Sequence, residues 1–111
     1  MDNPLRYEHL PTPVMPRCPP QPLLQGQKAI VTGASSGIGR AVALALADAG
    51  ADVVVNYAAG ESKALATVDE IRAKGVKGMA VRADVADEIQ VLDLFNRTVD
   101  TFGTVDILVN N

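Results

Sequence analysis

The sequence predicts a doubly wound α/β fold around a parallel sheet, and three observations carry that prediction. Unbroken, mostly branched apolar triplets recur at Ala29-Ile30-Val31, Val53-Val54-Val55 and Ile107-Leu108-Val109; continuous rather than alternating hydrophobicity marks strands buried on both faces. Strand starts near residues 28, 52, 78 and 106 leave intervals of 24, 26 and 28 residues, enough for a strand, a helix and two short loops. A glycine follows each intervening segment, at Gly50, Gly75 and Gly103, where it can end a helix and turn the chain towards the next strand.

Taken in order, the chain opens with a tail. All seven prolines lie between Pro4 and Pro22. Pro13, Pro16, Pro19 and Pro22 recur at the three-residue period of polyproline II, which a proline-binding module reads along one edge. The stretch 1–25 is nonetheless expected to be a disordered lead-in, or an extension upstream of a start at Met15, because it holds too little apolar surface to order itself. Ordered structure is expected from Gly26.

The first strand, Lys28–Thr32, runs into a helix whose apolar stripe is read as Ile38, Val42, Ala45, Leu46 and Ala49. The second strand ends at Asn56-Tyr57, and its helix carries Leu65, Val68 and Ile71 on one face. Met79-Ala80-Val81-Arg82 is a weaker strand whose arginine suggests an edge position. The third helix shows Val91, Leu92, Phe95, Val99 and Phe102.

With 111 residues, 48% of them hydrophobic, the chain is one domain or part of one. A net charge of -3 with interspersed signs provides no basic footprint for nucleic acid or an anionic membrane. Cys18 stands alone, which excludes an internal disulfide and a cysteine-based zinc site; no metal is expected. No apolar run approaches the roughly 20 residues of a membrane span, and the first 25 residues lack a secretory apolar block. A cytoplasmic setting follows as the default.

The chemistry concentrates in Thr32-Gly33-Ala34-Ser35-Ser36-Gly37-Ile38-Gly39, between a strand and a helix. A pyrophosphate needs unobstructed backbone N–H groups and the positive end of a helix dipole. Gly33 suits the tight turn, Gly37 the close approach of phosphate, and Gly39 the packing of helix on sheet. The absence of Gly-Lys-Ser/Thr excludes a P-loop.

This motif resembles the T-G-x-x-x-G-x-G signature of the short-chain dehydrogenases/reductases, and the resemblance extends over the chain after Gly26. It implies the amino-terminal half of a Rossmann-type sheet, with about four strands and three helices, over 26–111. It also implies an NADP or NAD cofactor held by Gly33, Ser35, Ser36, Gly37, Ile38, Gly39 and Arg40, by Asn56 and Tyr57 near the ribose, and by Asp84 and Val85 at the adenine. Asp84 can instead cap the following helix, for which Asp87 is an equal or better candidate. Asn110-Asn111 looks like the start of the family's Asn-Asn-Ala-Gly motif, with Asn110 on the adenosine side, and Thr32 is expected to tie neighbouring strands through its hydroxyl.

An acid at the end of strand two would favour NAD; Asn56-Tyr57 offers none. The family's basic marks for NADP are also missing, since the relevant positions hold Ser36 and Ala58. Arg40 is the cation that can approach a 2′-phosphate, and the reading leans to NADP or dual use.

The same resemblance places a Ser, a Tyr-x-x-x-Lys pair and a further Asn beyond strand four. Tyr7 is followed at that spacing by Pro11 and Tyr57 by Glu61, so no catalytic residue is assigned and the 111-residue polypeptide is expected to be inactive. Hydride transfer between nicotinamide and a sugar or other alcohol or ketone is implied for a full-length protein, whose relatives are expected to be homo-oligomers. Val53–Tyr57, Asp69-Glu70-Ile71 and Asp106–Asn111 look most like glucose 1-dehydrogenases; 3-oxoacyl-[acyl-carrier-protein] reductases are the alternative. From other classes come a non-catalytic dinucleotide-binding module and a methyltransferase-type fold, against which Asn56 argues. An apolar edge at Ile107–Asn110 and one under-covered sheet face also predict a marginal, association-prone polypeptide.

Overall fold

The computed structural model describes residues 23–111. The proline-rich stretch up to Pro22 and Cys18 lie outside them. The elements alternate as β1 (Lys28–Val31), α1 (Gly37–Asp48), β2 (Asp52–Tyr57), α2 (Glu61–Ala73), β3 (Gly78–Arg82), α3 (Glu88–Phe102) and β4 (Ile107–Val109). All pairings are parallel and the order is β3-β2-β1-β4. The sequence order therefore reverses direction between β1 and β4, the switch point at which open α/β sheets form a crevice. Arg82 ends an edge strand, as its polarity predicts.

The apolar triplets become the sheet's two-sided core. Ala29, Ile30, Val31, Val53, Val54 and Val55 are fully buried. Right-handed crossovers place α1 and α2 over Val31, Val53 and Val55 on one face, leaving α3 with Ile30, Val54 and Val81 on the other.

The helix faces match the predicted stripes in part: Val68 and Ile71 are buried, and Val42, Leu46, Phe95 and Phe102 pack against the core. In α1 the buried line is Gly39, Ala43 and Ala47, while Ile38 is 76% exposed and Ala45 faces solvent. In α2, Ala64, Thr67, Val68 and Ile71 are buried and Leu65 is exposed; in α3, Leu94 and Thr98 are buried whereas Leu92 and Val99 are exposed. The physical reason is clearest in α1, and at Ala64 of α2. A stripe read from side-chain bulk selects large residues, but a helix lying close on branched strands places its smallest residues at the line of contact. The two buried threonines remain satisfied by donating to carbonyls one turn back, Thr67 to Lys63 at 3.0 Å and Thr98 to Leu94 at 2.8 Å.

At the amino ends of the strands, Asp52 links three elements. One carboxylate oxygen pairs with the Lys28 ammonium and the other accepts the Lys77 N–H at 2.9 Å. Leu24, assigned by the sequence to the tail, donates its N–H to Ala49 at 2.8 Å and packs partly buried against the α1 side of the core. No helix among the described residues is long and apolar enough to cross a membrane. β4, α3 and the loop before α3 expose Leu108, Ile89, Leu92, Val99 and Val85, the apolar surface on which the expected association rests.

Candidate functional site

Every predicted site segment lies at the carboxyl ends of the strands. The turn after β1 uses positive φ at Gly33 (60°) and Gly37 (62°), conformations that side chains resist. A Cβ added at Gly37 would meet nothing within 4 Å, so the ground above the turn is open to a ligand. Gly39 faces the opposite constraint: a Cβ there would collide with the Gly33 carbonyl and approach Asn111 Nδ2 to 2.7 Å. Helix α1 can start beneath the turn only because this position has no side chain.

Ser36 is the α1 N-cap, yet its side chain makes no capping bond, and the first turn holds no acid. The helix therefore presents unpaired N–H groups and uncompensated positive dipole to the crevice. With the open face of Gly37, this arrangement fits a dinucleotide pyrophosphate. Ser35 is half-buried beside the turn. The Ala34 N–H donates to the Asn56 carbonyl at 3.0 Å, pinning the turn to β2.

Thr32 ties β1 to β4 as expected. Its N–H donates to the Val109 carbonyl at 3.0 Å, its hydroxyl reaches the same oxygen at 3.3 Å or Asn110 Oδ1 at 3.4 Å, and it accepts the Asn111 N–H at 2.9 Å. Asn111 Nδ2 in turn donates to the Gly33 carbonyl at 3.3 Å. Asn110 is exposed and engaged with Thr32, whereas Asn111 is the member of the pair that rests on the glycine turn. Thr32→Val is expected to cost about 1 kcal/mol of unfolding free energy through lost hydrogen bonds, with faster amide exchange at Asn111; unchanged exchange there would refute the tie.

Two residues expected near the ribose have protein partners for their side chains. The Asn56 side chain is 2% exposed and donates to the Val81 and Ala83 carbonyls at 3.3 and 3.1 Å. Strand alternation turns it onto the α3 face, where it brackets β3 instead of facing the crevice. Arg40 pairs with Glu70 on α2, so its charge is directed along the helix flank and away from the turn. Tyr57 is buried at 8% exposure and lines a cavity of about 200 Å³ with Ala58, Ala59, Gly60, Glu61 and Arg82.

Beyond β3, Asp84 is exposed; its Oδ1 accepts the Ala86 N–H at 2.9 Å. Asp87 caps α3 by accepting the Ile89 N–H at 2.9 Å. Hydrogen bonds from Gln90 and Ile89 hold the Asp87 carboxyl below its ordinary range. The cap is thus Asp87, and Asp84 stays available to a ligand. Val85 is 48% exposed and shares a recess of about 160 Å³ with Thr32, Leu108 and Asn110. A larger cavity of about 480 Å³, lined by Arg72, Lys77 and Phe102 among others, opens at the opposite end of the strands and touches no candidate residue. Among the described residues no group of three or more His, Cys, Asp or Glu is placed to hold a metal.

A parallel sheet, a glycine turn over an uncapped helix and a crevice at the switch point define a dinucleotide-binding α/β protein. The family model for short chain dehydrogenases matches residues 27–111, and the chain belongs to that family. It is 52% identical over 85 residues to a 3-oxoacyl-[acyl-carrier-protein] reductase of Staphylococcus epidermidis, covering 77% of this chain and 35% of the relative. It is 48% identical over 89 residues to an L-rhamnose 1-dehydrogenase (NAD(P)(+)) of Sphingomonas, covering 80% and 35%. A short chain dehydrogenase from Burkholderia cenocepacia, solved in complex with NADP, superposes with a TM-score of 0.78 at 46% identity, over 80% of this chain and 36% of that one. The chain spans about a third of the length of these relatives.

Proposed function

We propose that this chain is the NAD(P)-binding part of a short-chain oxidoreductase. In such a protein Gly33, Ser35, Ser36, Gly37, Ile38 and Gly39 receive the pyrophosphate, Asp84 and Val85 the adenine, and Asn110 the adenosine side. The observation that carries this reading is the uncapped α1 terminus beneath a glycine turn with open space above Gly37. The reaction served is hydride transfer between nicotinamide and a sugar or other alcohol or ketone. The 111-residue polypeptide binds cofactor without completing that reaction, since its sequence holds no Tyr-x-x-x-Lys pair to supply the proton.

Two substrate readings have support. The glucose 1-dehydrogenase-like reading rests on Val53–Tyr57 and Asp106–Asn111, and a relative that oxidises a sugar at carbon 1 by its name adds to it. The 3-oxoacyl reductase reading is favoured by 52% identity to proteins of that name. Calorimetric titration of the purified 111-residue chain with NADP and NAD is expected to give saturable, one-to-one binding and no turnover with glucose or a 3-oxoacyl thioester. Absence of saturable binding by both dinucleotides would overturn the function; turnover would overturn the division of labour.

A further inference from the structure

We propose that Arg82 is the residue that reads the adenosine 2′-phosphate of NADP in this chain, a proposal that rests on the dinucleotide-binding reading above. Dinucleotide folds place the adenosine ribose at the end of the second strand, where a nearby arginine accommodates a 2′-phosphate. The positions from which the sequence suggests such a cation are empty of charge or committed elsewhere. Ser36 and Ala58 are neutral, and Arg40 is paired with Glu70.

Arg82 reaches the ribose position from the neighbouring strand. It stands directly across from Tyr57 in the β2–β3 register, so it lies at the level where β2 ends. Alternation puts it on the face of Gly78 and Ala80, the side covered by α2. It is exposed, and among the described residues its side chain makes no ion pair or hydrogen bond. Together with Tyr57, Ala58, Ala59, Gly60 and Glu61 it walls the cavity of about 200 Å³ at the mouth of the β2–α2 loop. A water occupies about 30 Å³ of liquid, so this space admits a phosphate monoester.

Glu61 lines the same cavity. Its carboxylate can accept hydrogen bonds from the two ribose hydroxyls of NAD, and it repels a 2′-phosphate that Arg82 attracts. Two opposite charges lining one cavity would let the site take either dinucleotide. No acid at the end of β2 and no arginine beside the glycine turn is then required.

The test uses the 111-residue chain and its Arg82→Gln, Arg40→Gln and Glu61→Gln variants, titrated with NADP, NAD, 2′,5′-ADP and 5′-AMP. Far-UV circular dichroism of each variant checks that the fold is retained. Arg82→Gln is expected to weaken NADP and 2′,5′-ADP by about ten- to a hundredfold, the scale of one charge-assisted contact, while NAD and 5′-AMP change less than about twofold. Glu61→Gln is expected to raise the NADP-to-NAD affinity ratio. Loss of phosphate preference in Arg40→Gln but not Arg82→Gln overturns the assignment and leaves the dinucleotide reading standing. Wild-type chain that binds none of the four nucleotides overturns both.

Discussion

Gly39→Ala is expected to lower stability by about 1–3 kcal/mol, the usual cost of forcing extra atoms into a packed interface, and to weaken dinucleotide binding at least tenfold. The added Cβ would collide with the Gly33 carbonyl oxygen and lie 2.9 Å from its carbon and 2.7 Å from Asn111 Nδ2. Two of these are backbone atoms, which cannot rotate aside. Helix α1 must lift from the sheet or the turn must open, and either movement spoils the alignment of the helix end with the phosphates. Gly37→Ala supplies the contrast. Its Cβ meets nothing within 4 Å, but its φ of 62° strains any side chain, at roughly 1–2 kcal/mol. Its methyl also occupies the open ground above the turn. Urea unfolding and NADP titration of both variants separate packing from access: stability unchanged in Gly39→Ala would show that α1 does not need the close approach.

Asp52→Ala is expected to cost about 2–3 kcal/mol near neutral pH, because it strands the Lys28 ammonium and the Lys77 N–H at a largely buried site. Burial raises the Asp52 carboxyl, but the Lys28 hydrogen bond, the Lys77 N–H and the charges of both lysines outweigh it and hold the group below its ordinary value. A carboxyl depressed on folding contributes stability that is complete above its unfolded value, about 3.9. That contribution fades as pH falls through the lower folded value. The wild-type and Asp52→Ala unfolding free energies should therefore converge as the pH drops below about 4. A gap that persists undiminished in acid would show that packing, and not the charged pair, is what Asp52 supplies.

Much of this architecture was legible in the residues. Val53-Val54-Val55 can only be a strand covered on both sides, and Thr32–Gly39 announces its turn through spacing alone. The parts that were not legible depend on distances between elements. Bulk patterning found Val68 and Ile71 but also nominated Ile38, Leu65 and Leu92, whereas contact fell on Gly39, Ala64 and Leu94. Asn56 was placed by position in the chain, but strand parity turns its amide towards β3. Arg40 was placed by proximity to the turn, and a glutamate 30 residues away holds it. Arg82 read as a mark of an edge strand; its position across from Tyr57 emerges only from register.

The place of β1 between β2 and β4 has a kinetic consequence. Lys28 meets Asp52 across 24 residues but Asp106 across 78. Closing the longer loop costs about 1 kcal/mol more in chain entropy, so the β1–β4 seam is expected to zip after the β1-β2-β3 ribbon with its two helices. The Thr32 and Asn111 contacts that brace the glycine turn belong to that last seam. During refolding, the appearance of nucleotide affinity should then lag behind the appearance of helical signal, making cofactor capture a clock for the final step of assembly.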